Sequence, residues 1–161
     1  MRIFFFISIL TFASTLYAQT RPNIDTITLS GLGPGIAGDR VKYYVNEKLD
    51  TLFWDAKSGT GLVKYAGTYF DIKGEYRIAY DKGIVSQVLF TAPVKSAAES
   101  KPMFDRIAGI CKNMYADPDI DYYNVQREIR WDGMERSVMV QTQDNSTYVT
   151  VVVRKFDVKR K

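Results

Sequence analysis

The sequence contains no histidine and one cysteine, Cys111, in 161 residues. A single cysteine excludes a disulfide within the chain. Without histidine there is no Cys/His zinc site and no serine–histidine or cysteine–histidine catalytic pair. The G-x-S-x-G and S-x-x-K motifs are also missing, so acyl transfer by the usual routes is not supported. Hydrophobic residues make up 46% and charged residues 25%, which is an ordinary balance for a globular domain.

Long hydrophobic runs are missing except at the start of the chain. Residues 3–12 are almost wholly apolar, follow the positive charge of Arg2, and precede a small-residue cleavage pattern that ends at Ala18. This layout predicts a secretory signal peptide over residues 1–18. An uncleaved anchor is the alternative, but the run is shorter than the roughly 20 residues that span a bilayer. We therefore expect a secreted or periplasmic protein with no membrane span after cleavage and no nucleic-acid partner.

The remaining residues, 19–161, are predicted to form a single domain that ends in a basic tail, 154–161. Five of the last eight residues are basic, namely Arg154, Lys155, Lys159, Arg160 and Lys161. A basic tail can contact phosphate, anionic lipid or acidic glycan. We interpret it as a solvated terminus, which is the commoner role of such a segment.

The first half of the domain is predicted to contain a helix and three strands. Asp39 can cap a helix whose apolar residues recur at spacings of four, four and three. These residues are Val41, Val45, Leu49 and Leu52. An alternating strand through Val41 and Val45 is the alternative. Runs rich in Tyr, Phe, Val and Ile predict strands over 62–72, 75–80 and 84–91, with turns at Lys73-Gly74 and Asp81-Lys82-Gly83.

The second half repeats this order. A helix is predicted to begin near Ser100, with a single apolar stripe that stops before Asp117-Pro118. The stripe consists of Phe104, Ile107, Cys111 and Met114, and we interpret Cys111 as a small buried side chain. Strands are predicted over 123–131, 135–143 and 147–154, with turns at Asp132-Gly133 and Asp144-Asn145. The almost wholly apolar segment 148–153 is expected in the centre of the sheet.

Together the two halves, about 31–93 and 94–154, predict a tandem repeat of one helix and three hairpin-linked strands. Each helix would cover the same face of a mostly antiparallel sheet. The predicted fold class is therefore α+β, a two-layer sandwich with two helices on one face.

This element order, with the turn 31–38 leading into the first helix, resembles the small envelope proteins built on the beta-lactamase-inhibitory-protein and SmpA/OmlA type of scaffold. The resemblance covers most of the mature chain but matches no diagnostic motif, and the chain lacks the disulfides common in secreted members. It implies a non-enzymatic protein that binds another protein with the open face of its sheet.

Residues 33–38 fit the dinucleotide pattern G-x-G-x-x-G, and Asp55 follows about twenty residues later, as that fingerprint requires. However, hairpins follow where a doubly wound sheet needs a crossover, and Pro34 removes one of the amides that would face a pyrophosphate. We therefore interpret this segment as a tight turn.

Acidic residues alternate in the segment after the second predicted helix. A calcium loop needs several oxygen ligands from one stretch of chain, and four carboxylates have suitable spacing: Asp117, Asp119, Asp121 and Glu128. Tyr122 stands where such a loop needs glycine. Calcium is therefore a hypothesis for this segment, and a solvated acidic turn is the alternative; no other cofactor is expected.

Aromatic residues are abundant, with 11 Tyr, 9 Phe and 2 Trp. Neighbours in a strand point to opposite faces, so one member of each pair 69–70 and 122–123 should lie on the uncovered face of the sheet. Exposed Tyr and Trp are typical of binding surfaces. The predicted binding residues are Trp54, Tyr69, Tyr122, Tyr123, Trp131 and Tyr148.

The sequence thus predicts a non-enzymatic binding protein whose partner is a protein of the cell envelope or extracellular space. One alternative is a module that binds a glycan or a small apolar ligand. A hydrolase that works with carboxylates alone is the further alternative.

Overall fold

The computed structural model describes residues 21–156. The predicted signal peptide and the end of the predicted basic tail lie outside these residues. The described chain forms one eight-stranded antiparallel sheet with the strand order β1-β2-β3-β4-β8-β7-β6-β5. The strands are β1 (Asp50–Asp55), β2 (Thr60–Tyr69), β3 (Ile72–Asp81), β4 (Ile84–Pro93), β5 (Ile120–Tyr123), β6 (Gln126–Asp132), β7 (Arg136–Gln143) and β8 (Tyr148–Lys155).

The sheet consists of two four-stranded meanders that meet at its centre, where β4 pairs with β8. The helix α1 (Ser100–Tyr115) connects them. Its buried residues repeat every three or four positions, which is the spacing of one helix face. Three short 3-10 helices, Ile24–Thr26, Gly38–Tyr43 and Ala97–Glu99, complete the regular structure of the described residues.

The helix α1 and the segment 21–49 pack side by side on one face of the sheet, which we call the helix face. Phe104 and Ile107 of α1 belong to the same buried core as Leu29 and Leu32 of the N-terminal segment. That core also holds every second residue of the central strands, among them Val151. The opposite face, called the open face, is left uncovered by both of these elements.

The fold prediction is wrong in its helices and in its repeat. Within the described residues there is one α-helix, and each meander has four strands instead of three. The predicted first helix is a 3-10 helix, Gly38–Tyr43, followed by β1. Val41 and Val45 are buried, as expected for the apolar side of the predicted helix, but Leu52 is exposed in the edge strand β1. Apolar residues four apart can also anchor an irregular segment that crosses a core.

The prediction of a turn at Lys73-Gly74 is also wrong. The chain reverses at Phe70 and Asp71 instead, and both residues have positive φ (46° and 62°). Gly74 lies inside β3, where an added Cβ would come within 2.2 Å of the Thr91 carbonyl oxygen and 2.6 Å of the Phe90 ring. Glycine is needed there to admit the phenylalanine ring, not to reverse the chain.

Several local predictions are confirmed. The helix begins at Ser100, Cys111 is buried, and β8 is central in the sheet. The reversal at 81–83 has positive φ at Lys82 and at Gly83, as a tight hairpin requires.

Candidate functional site

Two of the six predicted binding residues are buried in the core. Trp131 is fully buried, and its indole nitrogen donates a hydrogen bond to the Ala116 carbonyl oxygen at 2.9 Å. Its ring meets Tyr115 edge-on at 5.6 Å. Tyr69 is also buried and packs against Phe90. Because both side chains are buried in the core on the helix face, neither can contact a partner at the surface.

The other four predicted residues are each about half exposed, but they do not share a face. Tyr122 and Tyr148 lie on the open face, as the register of their strands requires. Tyr123 lies on the helix face, where its ring meets Phe104 edge-on at 5.9 Å. One member of the pair 122–123 thus lies on the uncovered face, as strand alternation predicts. Phe53, which is not among the predicted binding residues, is 54% exposed.

Trp54 lies at the edge of the helix face. Its ring covers Gly61, where an added Cβ would come within 2.3 Å of the indole, and it meets Tyr80 edge-on at 5.7 Å. Trp54 therefore closes the end of the core as well as being half exposed.

A row of five side chains, which we call the central row, crosses the middle of the open face. The members are adjacent in register and are Arg77, Leu89, Val152, Met139 and Arg130, on β3, β4, β8, β7 and β6. Val152 and Met139 are buried, with 2% and 7% of their surface exposed, because neighbouring strands flank them on both sides. The row therefore has an apolar centre and an arginine at each end.

Ion pairs surround the first end of the central row. Glu75 accepts from the Arg77 Nε at 2.8 Å and pairs with the Lys64 ammonium at 3.2 Å. The hydrogen bond from Arg77 is the main reason that the pKa of Glu75 is lowered, in spite of an opposing contribution from burial. This carboxylate is consequently ionised at neutral pH.

The other end of the row has the same arrangement. Arg130 lies between Glu128, at 3.5 Å, and Asp132, at 3.1 Å. The open face therefore has paired charges at both sides and an apolar strip between them.

A polar cleft of about 70 Å³, called the amide cleft, lies on the open face beside the central row. Its lining is neutral and consists of Gln126, Gln141, Thr142, Gln143, Tyr148 and Thr150. Gln126 is opposite Gln143, and Gln141 is opposite Thr150 in the ladder. Three amide side chains thus stand close to one half-exposed aromatic ring.

The calcium hypothesis is not supported by the positions of its carboxylates. Asp121 lies on the helix face, where Lys112 donates to it at 2.8 Å. Glu128 is opposite Tyr122 in the ladder and so lies on the open face. Because the sheet separates these two groups, they cannot bind one ion. Asp117 is exposed in the loop before β5.

Asp119, the fourth carboxylate of the calcium hypothesis, already accepts hydrogen bonds from within the protein. It accepts from both terminal nitrogens of Arg21 and from the Asp132 backbone amide at 2.6 Å. The hydrogen bond from Arg21 lowers the pKa of Asp119 to about 2. Among residues 21–156, no group of three His, Cys, Asp or Glu is arranged to hold a metal ion.

The glycine motif at 33–38 also serves the fold. The Gly35 amide donates to the Val85 carbonyl oxygen and the Gly38 amide to the Gly83 carbonyl oxygen, each at 2.8 Å. Amides that are bonded within the protein cannot bind a pyrophosphate, and a 3-10 helix follows them instead of an α-helix. The segment is a turn that fastens the N-terminal region to the β3–β4 hairpin.

Cys111 is unreactive in this setting. Its thiol is fully buried, and burial raises its pKa to about 11. A reactive thiol needs the opposite shift and an exposed position.

The fold and the surface define a class of protein: an α+β domain with one eight-stranded antiparallel sheet and one uncovered face. Comparisons with protein-family models, curated proteins and solved structures gave no match. The resemblance to the beta-lactamase-inhibitory-protein and SmpA/OmlA scaffold therefore stays a prediction. In residues 21–156 there is no helix of the length and apolarity needed to cross a membrane.

Proposed function

We propose that the protein is a non-enzymatic binding protein that docks another protein on the open face of its sheet. The predicted signal peptide supports a location in the periplasm or outside the cell. The observation that carries the proposal is the central row, with its apolar centre between two arginines.

The composition of the open face supports a protein partner. Interface centres are enriched in arginine, methionine and aromatic residues, and the open face combines Arg77, Met139 and Tyr122. The ion pairs around Arg77 and Arg130 offer charges of both signs, which favour one orientation of a docked partner. Because Val152 and Met139 are already buried, a docked protein would gain mainly from contacts with the partly exposed Leu89, with Tyr122 and with these charges.

Catalysis by carboxylates has less support. A general acid needs a raised pKa, whereas hydrogen bonds lower the pKa of four carboxyl groups in the described chain. These groups are Asp25, Asp55, Glu75 and Asp119. A small apolar ligand between helix and sheet is also disfavoured, because Phe104, Ile107 and Phe90 fill the core there.

The test compares two charge reversals. Arg77 lies on the open face with its side chain half exposed, and Arg106 is an exposed residue of α1 on the other side of the molecule. The mature chain and the variants Arg77→Glu and Arg106→Glu are immobilised, and partners are captured from envelope and secreted fractions of the source. We expect a stoichiometric protein that Arg106→Glu retains and Arg77→Glu loses. The proposal fails if no protein is captured or if both variants retain it equally.

A further inference from the structure

We propose that the amide cleft binds a neutral carbohydrate through side chains that are not members of the central row. Its lining contains three glutamine amides, two threonines and one tyrosine ring. The cleft is separate from Arg77 and its ion pairs, which the proposed function uses.

The chemistry of the lining matches sugar hydroxyl groups. A hydroxyl group both donates and accepts hydrogen bonds, and a glutamine amide offers two donors and one acceptor group side by side. The Gln143 side chain is exposed at the rim and Gln141 is half-buried further in. A half-exposed tyrosine ring, here Tyr148, provides a flat apolar surface against which the C–H face of a sugar ring can pack.

The cleft is also held in place before any ligand arrives. The Tyr148 carbonyl oxygen accepts hydrogen bonds from the Thr142 and Ser146 hydroxyls, each at 2.9 Å. The Thr150 hydroxyl donates to the Gln141 carbonyl oxygen across the β7–β8 ladder. Because these bonds fix the strand positions, little ordering of the backbone is needed on binding.

The position of the cleft and the charges around it favour a neutral sugar as the ligand. They disfavour an extended peptide and a negatively charged ligand. On the face of a sheet the backbone groups are already paired in the ladders, so an extended peptide cannot add to them there. No cationic side chain lines the cleft, and Glu128 stands next to Gln141 in the register. A negatively charged ligand would meet that carboxylate without a compensating cation.

The experiment titrates the mature protein with five neutral hexasaccharides, namely cellohexaose, xylohexaose, mannohexaose, maltohexaose and chitohexaose. Binding is followed by calorimetry and by the NMR signals of the glutamine side-chain amides. We expect saturable binding of at least one of them, with shifts at Gln141 and Gln143. Tyr148→Ala and Gln143→Leu should each weaken it about tenfold, the effect of losing roughly 1.4 kcal/mol of contact.

Two variants serve as controls. Tyr43→Ala removes a highly exposed tyrosine of the N-terminal segment and should leave sugar binding unchanged. Arg77→Glu should also bind sugar normally, so a failure of the proposed protein docking and a failure of the cleft are distinguishable. The inference is overturned if none of the five sugars binds, if binding persists in both cleft variants, or if hexagalacturonate, an acidic sugar, binds more tightly than the neutral ones.

Discussion

The two faces of the sheet are built from the same strands, yet they differ in what surrounds their side chains. In β8, Val151 and Val153 point to the helix face and are fully buried among apolar residues. Thr150 and Val152 are also buried, but they point to the open face, where their neighbours include threonine, glutamine and arginine. Stability therefore depends mainly on one set of alternate residues. The other set has a buried centre and carries charged and amide groups around it.

The largest expected effect follows from Trp131 on the helix face. Trp131→Ala should lower the free energy of unfolding by about 3–5 kcal/mol, because it opens a large cavity and leaves the Ala116 carbonyl oxygen without its donor. Urea denaturation measures the difference. The matched change on the open face, Tyr148→Ala, should cost less than about 1 kcal/mol. Equal losses would contradict the division between the two faces.

A second comparison uses two glycines with opposite surroundings. Gly74→Ala places a Cβ against the Thr91 backbone and the Phe90 ring and should destabilise the protein by about 1–3 kcal/mol. Gly109 lies in α1, and an added Cβ there meets nothing within 4 Å, so Gly109→Ala should stabilise by about 0.5–1 kcal/mol. Thermal and urea unfolding of both variants would show the two signs. A neutral Gly74→Ala would mean that β3 and β4 move apart easily.

The N-terminal segment is tied to the β6–β7 turn by Asp25. Its carboxylate accepts from the backbone amides of Met134, Glu135 and Arg136 at 3.0, 2.7 and 2.9 Å. Burial opposes ionisation, but these amides outweigh it and lower the pKa of Asp25. Asp25→Ala should cost about 1.5 kcal/mol, the usual range for bonds to a charged group.

The control for that variant is Asp39→Ala, which removes an exposed carboxylate of the same segment and should change stability by less than about 0.5 kcal/mol. If the two variants were equally stable, the turn would not depend on Asp25.

The ion pair of Arg21 and Asp119 predicts a pH dependence. The pKa of Asp119 is about 2 in the folded protein, below the ordinary value of about 3.9. A lowered folded pKa means that the contribution is present above the unfolded pKa and is lost as the pH falls from about 4 through 2. Asp119→Asn should therefore differ most from wild type above pH 5 and least near pH 2. A constant difference across this range would refute the assignment.

The smallest effect is expected from the charges of the open face. Glu75→Gln breaks pairs that are one third or more exposed, and such pairs contribute little to folding, so the cost should stay below about 1 kcal/mol. Salt-dependent unfolding measurements check this. A larger loss would mean that the open face also stabilises the sheet.

Part of the candidate site followed from strand alternation alone. Because neighbouring residues point to opposite faces, the pair 122–123 had to place one tyrosine on each face, and it does. Trp131 could not be assigned this way. Its face depends on the register of β6 against β7, which is set by partners distant in sequence.

The features that the amino-acid sequence predicts correctly are local ones. The stripe through Phe104, Ile107 and Cys111 defined α1, and the turn residues at 81–83 and 144–145 located two reversals. These features depend on side chains within a few positions of one another, so a single stretch of chain contains their cause.

The remaining features depend on strand pairing between distant parts of the chain. Residues 50–55 form an edge strand because β2 offers a ladder and Gly61 leaves room for Trp54, and no local pattern contains that information. The same holds for Asp121 and Glu128, whose spacing suits a calcium loop but which the sheet separates onto opposite faces. Spacing along the chain predicts which groups can be near one another, and the pairing of strands decides which of them meet.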